Sequence, residues 1–290
     1  MYDLSTVEKI GEALEDVGYM PRRSDVLALI QTIMSDVSRG GSKAMLLEGP
    51  PGTGKSAFAE AVAKITSSRF VPYQFHSWSD ADELFVGVDV CAAVAGDSEA
   101  VRQEGVLAKV ARLSADSTVV LLLDEIDKAP ERTEYLLLDW LQTGRVPVQP
   151  GVHLQTNQKN VLVFITSNAH RELSDATKRR LCRLMMQPLP VRQQEILIRS
   201  RTGLDKGFVR ILWKMARLVA SSENNEALSI QEGIRFAEAV WRHAECKEDI
   251  QIFLSQWAAR TDKGRRAATS NAEVTRTISA AWSELCRARS

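Results

Sequence analysis

Lys43 to Ser56 reads KAMLLEGPPGTGKS, an apolar run passing straight into Gly49-Pro50-Pro51-Gly52-Thr53-Gly54-Lys55-Ser56. Those eight residues satisfy the spacing GxxxxGK[ST], in which glycines let the backbone curl until successive N–H groups face one point. The next residues, Ser56 to Ile65, are alanine-rich and helical, so the positive end of a helix dipole is aimed at the same place. A strand, a glycine loop and a helix in this order form a cradle for phosphate. Lys55 is placed to reach the β- and γ-phosphates of a nucleotide, and the Ser56 hydroxyl to ligate Mg²⁺.

Working outward, Thr118 to Leu123 (TVVLLL) is a buried-strand run that delivers Asp124 and Glu125 to its C-terminal edge. Open parallel sheets bind ligands at that edge. Asp124 is expected to hold Mg²⁺ through its water shell and Glu125 to polarise an attacking water. Asn160 to Ser167 (NVLVFITS) is a second continuous apolar strand, ending at Asn168. A neutral amide there can bond both a water and a phosphate oxygen without adding charge. Lys178, Arg179 and Arg180 form a basic run further on, either a solvated face or a source of arginine for another subunit's site.

The first ~190 residues alternate strand and helix, the pattern of a parallel sheet covered on both faces. Residues 146–156 read as a small hairpin around Pro150-Gly151, and everything beyond Pro190 is helical in pattern. The expected division is an α/β nucleotide-binding domain with N-terminal helices at 1–189, a helical lid at 190–260, and a basic helical segment at 261–290. Leu84 to Gly105 fits neither strand nor helix; it reads as an insert that moves with the nucleotide or as an ordinary crossover.

Composition bounds the partners. The chain has 290 residues with 37 basic and 37 acidic side chains, a formal net charge of zero. Bulk positive potential is excluded, so nucleic acid would have to bind at a local patch. Arg260 to Arg289 supplies one candidate, with seven basic and three acidic residues. The acidic N-terminus lacks the pattern of a signal peptide, and no apolar run nears the ~20 residues of a membrane span. A soluble, cytoplasmic protein is expected. Cys91, Cys182, Cys246 and Cys286 form no ligand cluster and are expected to be reduced and mostly buried. The six tryptophans, from Trp78 to Trp282, mostly read as core residues.

The set GPPGTGKS, LLLDEID, ITSN and KRR, in this order and followed by helices, resembles the AAA+ ATPases. The stretch LLLDEIDKAPERTEYLLLDWLQTGRVPV, with ELFVG and GVLAKVA upstream, is similar to their MoxR-type branch. The resemblance runs from Val26 to His243. It implies a P-loop sheet with a helical lid, ATP and Mg²⁺ as ligands, and assembly as a ring, a hexamer. Lys55 with Ser56 then match Walker A, Asp124 with Glu125 Walker B, and Asn168 sensor 1. Arg180 matches the arginine finger, with Arg179 as the competing choice. Gln74 falls where relatives carry a polar residue that contacts the catalytic glutamate. Gln231 stands where a sensor 2 arginine is common, leaving Arg235 one turn later as the alternative.

The implied activity is ATP hydrolysis that remodels or activates a protein partner, in this branch often one with a von Willebrand factor A domain. A nucleic-acid motor or loader and a slow-hydrolysing, nucleotide-gated scaffold are the alternatives.

Overall fold

The computed structural model describes residues 2–35, 43–88, 102–149, 151–223 and 228–289. Two compact units emerge. One comprises Met1–Gly49 and Gly54–Met186, the other Pro50–Thr53 and Gln187–Ser290.

The first unit opens with helices α1 (Val7–Asp16) and α2 (Arg23–Ile33). Strand β1 (Ala44–Glu48) then enters the glycine loop, and α3 (Lys55–Ile65) leaves it. After β2 (Arg69–Gln74) come a one-turn helix α4 (Ala81–Leu84) and a short antiparallel pair, β3 (Val86–Val88) with β4 (Arg102–Glu104). Helix α5 (Val106–Asp116) leads into β5 (Val119–Asp124), which ends in a 3₁₀ turn, Ile126–Lys128. Helix α6 (Glu131–Thr143) precedes the hairpin β6 (Arg145–Gln149) and β7 (Val152–Gln155). Strand β8 (Val161–Ser167), helix α7 (Asp175–Arg180) and strand β9 (Cys182–Met185) complete the unit.

The five-stranded sheet has the order β2-β5-β8-β1-β9, and every neighbouring pair is parallel. Alternation along each strand divides its side chains between two cores. Leu46, Leu121, Leu123, Val163 and Ile165 join α5 and α6 on one face, through Leu107, Val110, Leu137 and Trp140. Met45, Leu47, Val120, Leu122 and Phe164 join α1, α2 and α3 on the other, through Leu14, Leu29, Phe58 and Val62. Both faces being covered, all seven residues of β8 are buried. That is why the strand reads as a continuous apolar run rather than an alternating one.

Leu84 and Phe85, at one end of the tract that fitted neither strand nor helix, are buried in the first of these cores. At its other end a Cβ on Gly105 would come within 2.5 Å of the Phe85 carbonyl oxygen. Most of the proposed moving segment, residues 89–101, lies outside the described residues.

The second unit is built from α8 (Val191–Thr202), α9 (Lys206–Ser221), α10 (Ile230–His243), α11 (Lys247–Ala258), α12 (Asp262–Ser270) and α13 (Ala272–Arg289). Phe208, Leu212, Trp213, Phe236, Val240 and Leu254 form its centre. Ala268, Val274, Ile278, Ala281 and Leu285 belong to the same core, so the C-terminal segment packs with the helices that precede it.

One expectation is corrected, that on the cysteines; the one on the tryptophans holds for all but Trp78. Cys182 and Cys246 are half-buried and Cys286 is exposed, because each sits at an element edge or on an outward helix face. Trp78 is 82% exposed, unlike the core tryptophans, because it lies in the loop between β2 and α4 rather than on an apolar helix face.

Candidate functional site

The loop from Gly49 to Ser56 is shaped by backbone angles that side chains disfavour. Gly54 caps α3 at φ 90°, and Gly49 has φ 149°. A Cβ on Gly49 would sit 2.2 Å from the Met186 carbonyl oxygen, so only glycine fits there. Within the loop, the Thr53 hydroxyl donates to the Pro50 carbonyl at 3.0 Å, while Pro51 and Gly52 are exposed.

Lys55, the first residue of α3, is buried and donates from Nζ to the Gly49 carbonyl at 2.8 Å. Burial pulls its pKa below the ordinary lysine value, against the pull of Asp124, Asp127 and Glu125 in the other direction. An ammonium whose charged form burial disfavours gains from an incoming anion. Ser56, one residue on, donates from Oγ to Asp124 Oδ2 at 2.9 Å. Asp124 Oδ1 accepts from the Thr166 hydroxyl, which itself accepts from the Glu125 backbone N–H at 2.8 Å.

Adjacent strands bring these groups together. Leu123 pairs with Ile165 across β5 and β8, so Thr166 stands one step further along, level with Asp124. Thr166 was not singled out from the sequence. No sequence signal marks it, because its place beside Asp124 is set by the register of β5 on β8.

Glu125 follows β5 in the left-handed region, at φ 58° and ψ 49°. Strain of this kind in a non-glycine residue persists only where neighbours impose it. Its Oε2 accepts from Gln74 Nε2 at 2.7 Å and from Lys128 Nζ at 2.6 Å. Its Oε1 accepts from Asn168 Nδ2 at 3.0 Å. Burial pushes the carboxyl pKa up, but the bonds from Lys128, Gln74 and Asn168 outweigh it and hold the group below its usual range. A carboxylate has about four lone-pair positions. Among the described residues three are filled, and the fourth lies on Oε1, beside the Asn168 amide.

Ser56, Asp124, Glu125, Asn168 and Gln74 are therefore linked at the C-terminal edge of the sheet, with Lys55 in the field of Asp124 and Glu125. Lys128 belongs with them and was missed; a lysine three residues after a carboxylate carries no signal of its own. Arg179 and Arg180 are exposed on α7, with Arg180 Nη1 donating to the Ala176 carbonyl at 3.1 Å. In the second unit, Gln231 is exposed in the first turn of α10, and the Arg235 guanidinium lies 5.7 Å from the Trp257 ring centroid.

Among the described residues, no three His, Cys, Asp or Glu side chains form a metal-holding set. Mg²⁺ does not need one. It typically takes one or two protein oxygens, with waters and phosphates completing its shell. The converging Ser56 hydroxyl and Asp124 carboxylate fit that demand.

Residues 44–181, just under half of the chain, match the family model of the AAA domain (dynein-related subfamily). The chain is 27% identical over 181 residues to the Meiotic spindle formation protein mei-1 of Caenorhabditis elegans, covering 61% of this chain and 35% of that protein. It is 37% identical over 86 residues to the ATP-dependent zinc metalloprotease FtsH 2 of Petrotoga mobilis, covering 30% and 12%. It is 32% identical over 155 residues to the Protein SUPPRESSOR OF K(+) TRANSPORT GROWTH DEFECT 1 of Arabidopsis thaliana, covering 51% and 31%. The chain thus spans about a third or less of these relatives. A Thermotoga maritima RuvB mutant shares the fold at a TM-score of 0.50 and 13% identity, over 93% of this chain and 72% of that one. The match over residues 44–181, together with these relatives, supports an AAA domain of the AAA+ type in that part of the chain.

Proposed function

We propose that this chain hydrolyses ATP with Mg²⁺ as a ring-forming ATPase of MoxR type, and that it uses the cycle to remodel or activate a protein partner. The observation that carries the reading is Glu125, an ionised carboxylate held at the strand edge with one lone-pair position left beside Asn168. In the proposed reaction a water attacks the γ-phosphorus, the bond to the β–γ bridging oxygen breaks, and Glu125 takes the proton of the water. Asn168 orients that water, and the loop N–H groups with Lys55 bind the phosphates. Ser56 and Asp124 would hold Mg²⁺, which would neutralise charge on the phosphate oxygens.

Charge also builds on the transferred phosphoryl group. Arg180, or Arg179 beside it, neutralises that charge in the neighbouring subunit's site, which accounts for their exposure on α7. Partners with a von Willebrand factor A domain fit this type, and a neutral net charge favours protein over nucleic acid.

The test is a pair of variants in the full chain. Lys55→Ala should lose binding of a fluorescent ATP analogue. Glu125→Gln should keep that binding and lose hydrolysis by about 10²-fold or more. Wild-type hydrolysis in Glu125→Gln would remove Glu125 as the base.

A further inference from the structure

Glu125 follows β5, whereas Arg179 and Arg180 end α7, and a run of polar contacts crosses from one to the other. Asp127, buried in the 3₁₀ turn after Glu125, accepts from the backbone N–H of Asn168 at 3.3 Å and of His170 at 2.9 Å. Arg171 donates from Nη2 to the Ile126 carbonyl at 3.4 Å and the Ala129 carbonyl at 3.3 Å, gripping both ends of that turn. Its Nη1 reaches Glu134 Oε2 on α6 at 2.9 Å. Glu134 is only 1% exposed. Its Oε1 accepts from the Ser174 backbone N–H at 2.9 Å and from the Thr177 hydroxyl. Ser174 is the N-cap of α7, accepting from the Thr177 N–H at 3.2 Å.

We propose that Arg171 and Glu134 are positioning residues that fix α7 to the Glu125 turn, so that each subunit's own site sets where its arginines stand for the next subunit. The inference rests on the proposed action of Arg179 or Arg180 in trans.

Three observations separate this from plain scaffolding. An ion pair with one partner buried (Glu134 1% and Arg171 31% exposed) gains little stability, since apolar side chains of similar volume can do as well or better. The pair is also directional: one end holds backbone carbonyls of the turn, and the other holds the first turn of the short helix. Finally, Arg171 Nε is buried with no hydrogen-bond partner. A guanidinium with a donor left over is suited to a second arrangement when the turn shifts. Glu125 at φ 58° and Ala169 at φ 61° place strained backbone on both sides of the contact, where such a shift would be felt.

Subunit mixing tests the proposal. Glu134→Gln keeps an acceptor for Ser174 and loses the charge that holds Arg171. Alone, it should bind the fluorescent ATP analogue like the wild type and lose roughly 10²-fold in turnover. Mixed with Glu125→Gln subunits, which keep an intact α7, it should partly recover, because its own base is served by a well-placed arginine. Arg171→Met should behave the same way. Arg179→Ala and Arg180→Ala, each mixed with Glu125→Gln, report on the underlying reading. If either of them recovers and Glu134→Gln does not, Glu134 acts in its own site or on the fold, and the inference is overturned. If neither recovers, action in trans fails, and the inference falls with it. Should Glu134→Gln not fold, Glu134→Leu combined with Arg171→Met buries no lone charge and carries the same comparison.

Discussion

At Glu125, left-handed backbone angles and three donors to one carboxylate coincide. Because its pKa is lowered, the stabilisation from its ionised form is present above the unfolded value, about 4.3. It is lost only as pH falls through the lower, folded value. The rate should therefore show no Glu125-dependent fall from about pH 9 down to about pH 6. Lys128→Met removes one of the two donors to Oε2, so its acidic limb should move to higher pH. A pH–rate profile of the two proteins checks this, and superimposable profiles would show that Lys128 does not set the charge on the base. Ala169, at φ 61°, invites the opposite kind of change. Ala169→Gly should stabilise the protein by about 0.5 kcal/mol, strain relief exceeding the lost chain restriction. Denaturant unfolding reads the difference, and a less stable variant would mean that the angle carries no strain. As candidates, Lys55 and Ser56 were legible from a fixed spacing, and Asp124, Glu125 and Asn168 from the apolar strands they end. Thr166, Lys128 and Arg171 were not, because register and tertiary contact give them their partners.

The elements divide in the same way. Strands β1, β5 and β8 could be read directly, since burial on both faces leaves no polar position to blur them. The three-residue strands β3 and β4 are too short for any period to show. Helix α12, with the sequence DKGRRAATS, buries only Gly264 and Ala268 and therefore has almost no apolar stripe. Between Asn168 and Arg180 the chain is irregular for its first half. Only Asp175–Arg180 is helical, and the residues before it serve the polar contacts to Asp127 and Glu134. Burial predicts opposite fates for two aromatic residues. Phe164 is fully buried in β8, its ring 5.6 Å from that of Phe58, so Phe164→Ala should cost about 3–5 kcal/mol. Trp78→Ala, in an exposed loop, should stay within about 0.5 kcal/mol. Unfolding curves that rank the two variants the other way would refute this.

For the molecule as a whole, zero net charge conceals a division. Residues 1–186 hold 20 basic and 25 acidic side chains, and residues 187–290 hold 17 and 12. Copies of such a chain attract one another wherever the first part of one meets the second part of another. Association of the full chain should therefore weaken as salt rises from about 0.05 M to about 0.5 M, where screening shortens electrostatic reach to a few ångströms. Sedimentation velocity at the two salt concentrations measures it. Assembly that tightens with salt would point to an apolar interface instead.

The strand order has one more consequence. β5 and β8 lie inside the sheet, with a hydrogen-bonded neighbour on each side, whereas β6 and β7 have only each other. Amide protons of Leu121–Leu123 and Val163–Ile165 should then exchange with solvent only when the whole unit opens, and those of the hairpin much sooner. Asp124, Glu125, Thr166 and Asn168 are carried on the slow strands or the residue just after them. Local opening cannot release these four residues while the rest survives, so damage remote from them and from the glycine loop should reduce the number of competent molecules and leave nucleotide affinity per folded molecule unchanged.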